Sequence, residues 1–110
     1  MTTFTELGDC LQAKGIGSYY QSQDRFVVSS TNPALPSSNC FWVARRHNAW
    51  YIGTWLPAIY EVPADENVCK ACELVFRSSA TAIYTIEASV AELLRLRRLG
   101  EEEIQGLQLA

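Results

Sequence analysis

The chain has 110 residues, 48% of them hydrophobic and 19% charged, and a net charge of −3. That length suits one domain, residues 1–110, with a hydrophobic core of its own. The acidic balance supplies no positive field to recruit nucleic acid or an anionic membrane, and no apolar run approaches the ~18 residues of a membrane span.

The opening residues MTTFTELGDC lack the basic and apolar regions of a secretory signal. The expected location is therefore cytoplasmic, with Cys10, Cys40, Cys69 and Cys72 as reduced thiols. Residues 3–14 read as a first helix. Thr3 and Glu6 have capping-box spacing, Phe4, Leu7 and Leu11 form an apolar stripe, and Lys14-Gly15 is a stop signal. Residues 18–21 and 25–30 are rich in Tyr, Phe and Val and read as a hairpin. Residues 31–39 contain Pro33 and Pro36, which lack ladder donors, and form the longest irregular connection.

Residues 40–46 and 49–55 read as a second hairpin turning at His47-Asn48, two residues that tolerate left-handed backbone. Residues 58–62 read as a short edge strand on which Glu61 would block association with another sheet. A second helix is expected over 65–77, with Asp65 and Glu66 in its first turn and Val68, Ala71, Cys72, Val75 and Phe76 on its apolar face. A strand over 81–86 and a third helix from Ser89 to about Leu99 follow. The acidic tail 101–110 could be a helical extension, a short strand or disorder. The pattern predicts an α+β fold in the order α-β-β-β-β-β-α-β-α: an antiparallel sheet of about five to six strands and three helices, mainly on one face. No known family is identified in it.

All three tryptophans lie in CFWVARRHNAWYIGTWLPAIY, residues 40–60. A turn centred on His47-Asn48 pairs Arg45 with Trp50, Val43 with Ile52 and Phe41 with Thr54 on one face. The other face pairs Arg46 with Ala49, Ala44 with Tyr51, Trp42 with Gly53 and Cys40 with Trp55. The first should be core, with Arg45 over Trp50 as a cation–π pair. The second is aromatic and needs a cover: the third helix, the 31–39 loop, the tail or a partner. Trp and Tyr are enriched at interfaces, which makes Trp42, Tyr51, Trp55, Arg46 and Tyr60 the candidate binding residues.

Catalytic chemistry finds little support. His47 is the sole histidine, and ~23 Å of extended strand separates it from Cys40, so the two form no dyad. Nucleophile-elbow, P-loop, dinucleotide and HExxH motifs are absent. Cys69-Lys-Ala-Cys72 has CxxC spacing, but no second close-spaced pair completes a zinc site, and Cys69 falls about a turn inside the expected helix instead of at its start. Arg95, Arg97 and Arg98, with Arg45 and Arg46, are the one basic concentration, and the following Glu101–Glu103 run offsets it. The sequence therefore favours a non-enzymatic protein-interaction domain working through its aromatic sheet face, with another protein or a second copy as partner and no cofactor or metal. A small-ligand domain with an apolar pocket beside residues 31–39, and a CxxC redox or metal protein, are the alternatives.

Overall fold

The computed structural model describes residues 3–22, 24–30, 41–54, 58–78 and 86–109. The 31–39 loop, Cys40, Trp55 and residues 81–85 of the expected strand lie outside them. Helix α1 (Phe4–Ala13) begins where its cap predicts: Thr3 is extended and its Oγ1 accepts the Glu6 amide at 3.1 Å. It ends through Lys14 into Gly15, whose φ of 75° is the left-handed conformation glycine adopts without steric cost.

Among the described residues six strands follow in one antiparallel sheet whose spatial order is the chain order: β1 (Ile16–Ser22), β2 (Arg25–Ser30), β3 (Phe41–Arg46), β4 (Ala49–Gly53), β5 (Ile59–Val62) and β6 (Arg97–Arg98). His47 and Asn48 turn the central hairpin with φ of 51° and 65°. This turn sets the predicted register, with Trp42 opposite Gly53, Val43 opposite Ile52 and Arg45 opposite Trp50. The fold is α+β, as expected, with four helices among the described residues instead of three.

Three expectations need correction. Helix α2 (Val68–Ser78) starts later than residue 65, because Asn67 caps it by accepting the Lys70 amide on Oδ1 at 3.2 Å. Asp65 and Glu66 therefore precede the helix, and Arg95 binds them instead, reaching both Asp65 oxygens at 3.0 Å. Helix α3 (Ala88–Leu93) stops well before Leu99. Arg95 takes a φ of 53°, its amide donates to Glu92 and that of Leu96 to Ala91, which is a helix-ending Schellman arrangement. The chain then extends as β6 alongside β5, Glu61 facing Arg97, so β5 is not an edge strand.

Helix α4 (Glu101–Gly106) occupies the tail, with three acidic residues in its first turn, where the helix dipole favours them. It ends like α3: Gln108 at φ 56° donates to Gln105, and Leu109 to Ile104. Gln108 is exposed and pays the steric cost of left-handed backbone. Gln108→Gly is expected to raise stability by about 0.5–1 kcal/mol, read as a higher urea midpoint at unchanged m.

The sheet separates two apolar clusters. On one face Phe26, Val28, Phe41, Val43, Ile52 and Val62 meet Leu7 and Leu11 of α1, Ala71, Cys72 and Val75 of α2, and Leu94 after α3. On the other Val27, Trp42, Ala44, Tyr51 and Ile59 meet Leu99 and Leu109, with Ile104 and Leu107 packed alongside. Each large aliphatic side chain buried in these clusters contributes roughly 1.5–3 kcal/mol through removal from water.

Candidate functional site

The second face carries most of the candidate binding residues. Strand alternation and the registers of β2 to β6 align Arg25, Ala44, Tyr51, Glu61 and Arg97 in one row across it, and Val27, Trp42, Gly53 and Ile59 in the next. The Trp42 ring lies over the backbone of Gly53, filling the gap that a side chain there would occupy. Trp42 is 6% exposed and Tyr51 4% exposed. Their cover is the tail, one of the candidates the sequence offered: α4 and the residues after it.

Two arginines of the sheet fix that cover. Arg25 stacks over the Trp42 ring with its guanidinium carbon 4.5 Å from the centroid, and donates to the Leu109 carbonyl at 2.6 Å. Arg46 donates through Nε to the Leu107 carbonyl at 3.1 Å while Asp24 holds its Nη2 at 2.7 Å. Both bonds go to main-chain carbonyls at and beyond the C-terminal end of α4, where unpaired acceptors and the negative end of the helix dipole favour cations. Leu109, 1% exposed, is the buried apolar anchor between them. Nothing local in the sequence marks Arg25 as a site residue, because its place beside Ala44 depends on β2–β3 pairing across residues 31–40.

The start of α4 is held by charge. Arg97 reaches Glu103 at 2.8 Å and Glu61 at 3.4 Å, and Glu103 also accepts the Gly100 amide at 3.3 Å. Tyr51 donates its hydroxyl to Glu61 at 3.4 Å, and burial followed by the Glu61 charge pushes its phenol above the ordinary range. Arg97, followed by the Gly100 amide, holds the Glu103 carboxyl below the usual range. A depressed carboxyl contributes stability above its unfolded-state pKa and loses it as pH falls through the folded-state value. Acidification below the ordinary carboxylate range is thus expected to loosen α4 ahead of global unfolding, seen as faster amide exchange at Ile104–Leu107, and Glu103→Gln should remove that pH dependence.

Tyr60 belongs elsewhere. It pairs with Ile52 and packs, half-buried, on the helix-covered cluster, one residue out of phase with the Tyr51 row. Of the five candidates, Trp42, Tyr51 and Arg46 come together, Tyr60 faces the opposite side, and Trp55 lies outside the described residues. Arg45 stacks over Trp50 at 5.7 Å, as the pairing predicts.

The cysteines correct two expectations. Cys10 and Cys69 form a disulfide that ties α1 to α2, with Cα atoms 6.4 Å apart, so these thiols are not reduced and Cys69 is not half of a dithiol with Cys72. Cys69 is the second residue of α2, not a turn inside it, because the helix begins at Val68. Cys72 is buried beside it, its thiol pushed up to about 12 by desolvation. Among the described residues no cluster of three or more His, Cys, Asp and Glu side chains is arranged to hold a metal ion, and no helix is long and apolar enough to cross a membrane. A cavity of about 440 Å³ lies between the β3–β4 turn and the start of α2, lined by Asn48, Trp50, Val62, Pro63, Glu66 and Asn67 among others. The pocket expected beside residues 31–39 lies outside the described residues. Comparison with protein-family models, curated proteins and solved structures gave no match.

Proposed function

We propose that this chain is a non-enzymatic protein-interaction domain whose aromatic sheet face receives a short amphipathic helical segment. Its own residues 104–109 fill that face here, and a partner protein or a second copy would displace them. The supporting observation is the pair of bonds from Arg25 and Arg46 to the carbonyls of Leu109 and Leu107. Main-chain carbonyls are common to every sequence, so the two arginines would grip any helix end that also supplies apolar side chains for Trp42 and Tyr51. A six-residue helix has no stability of its own in water, so the occupant folds on the face and its hold depends on these contacts. The Cys10–Cys69 disulfide suits a chain that meets an oxidising environment.

A fluorescent peptide with the sequence of residues 99–110 tests the reading when added to the full chain carrying Leu109→Ala in its own tail. Saturable binding is expected, and Arg25→Ala with Arg46→Ala should abolish it while circular dichroism stays unchanged. A folded Leu109→Ala chain that leaves the peptide free rules the receiving face out.

A further inference from the structure

An open sheet has two edges, and this chain treats them differently. The β6 edge is two residues long and consists of Arg97 and Arg98, both exposed. Shortness and charge are two of the devices by which proteins prevent their sheet edges from pairing with other chains. The β1 edge is seven residues long, Ile-Gly-Ser-Tyr-Tyr-Gln-Ser, with neither a charge nor a proline. Its pairing with β2 is regular from Ile16 to Tyr20, and the one irregularity, between Tyr20 and Ser22, lies at the end near the turn. Among the described residues no strand pairs with its outer side. The guards present at β6 are missing along Ile16–Tyr20.

We infer that the outer edge of β1 pairs with β1 of a second copy about a two-fold axis, joining two six-stranded sheets into one. The strand itself points to this occupant. A strand meeting its own copy across a two-fold axis running normal to the sheet must run antiparallel, the arrangement that every pair in this sheet adopts. Self-pairing also sets each residue type near itself, which a charged edge would resist; the seven residues here bring no like charges together. The β6 edge fails the same requirement, since two copies would bring four arginines together. The contact lies at the opposite end of the strand order from β6, and it does not need the tail to leave the aromatic face.

Sedimentation of the full chain across a concentration series tests this, together with amide exchange. Reversible association from 12.3 kDa to twice that mass is expected, with amides of Ile16–Tyr20 exchanging more slowly as concentration rises. Ser18→Lys with Gln21→Lys should weaken the dimer by at least about tenfold, by placing like charges across the pair. Mass fixed at that of one chain, or a dimer in which β1 amides exchange as they do in the monomer, overturns the inference. So does a dimer that survives the lysines but is lost in Ile104→Ala with Leu109→Ala, since that dimer would come from exchange of tails. Should the lysine variant fail to fold, the amide-exchange series on the unaltered chain decides.

Discussion

Gly53→Ala is expected to destabilise the chain by about 3 kcal/mol, the upper end of what overpacking a core costs. A Cβ built at this position would overlap Cζ2 and Cε2 of the Trp42 ring. The ring has little room to move away. Arg25 stacks on it, it packs with Val27 and Leu109 in the same buried cluster, and its own strand is paired on both sides. Urea unfolding followed by tryptophan fluorescence would show the midpoint drop. Trp42→Leu in the same chain should recover part of the loss, since it removes the ring that the methyl strikes, and the double-mutant cycle should show strong coupling. Full additivity of the two changes would mean that the ring does not depend on the missing side chain.

Breaking the Cys10–Cys69 bond carries the largest expected effect. The bond closes a loop across a sequence separation of 59, which in the chain-entropy account stabilises by about 4 kcal/mol. Unfolding with and without reductant, and in Cys10→Ala/Cys69→Ala, should show losses of that order. The two helices would still hold Lys14 against Glu73 at 3.2 Å, with Arg77 beside Glu73, but partly exposed ion pairs contribute at most about 1 kcal/mol and do not replace the bond. Cys72 should stay unreactive in the folded protein in both states. Its raised pKa keeps the proton on in the folded chain while an unfolded thiol loses it near ~8.5, so between that value and about 12 stability falls as pH rises. Equal stability in oxidised and reduced protein would remove the disulfide from any structural role.

The central hairpin was legible in the sequence because its determinants are adjacent. His47 and Asn48 accept positive φ, the turn fixes the register, and the register decides which side chains share a face. Thr3 and Gly15 marked the ends of α1 for the same reason. Features resting on distant partners were not legible. Nothing near Cys10 names Cys69, and nothing near Arg25 names the Leu109 carbonyl, 84 residues away. Leu93 to Leu99 looks helical by composition, yet Arg95 leaves the helix there, with Asp65 engaging its side chain from a loop thirty positions earlier. Tyr60 is one residue out of step with Glu61 and Ile59, and one residue along a strand changes the face. Glu101–Glu103 after Gly100 is a helix-start signal, and the tail is one of the covers the sequence offers for Trp42, but nothing local to it selects it over the others.

The strand order has a consequence for how the protein is made. The first five strands pair with their neighbours in the order of synthesis, so those pairings close short loops and can form early. Residues 104–109 follow every described strand in the chain, so they reach Trp42 and Tyr51 only after the strands they cover have been made. Until they do, any early pairing of those strands leaves the apolar side chains of Val27, Trp42 and Tyr51 without the cover that Ile104, Leu107 and Leu109 supply.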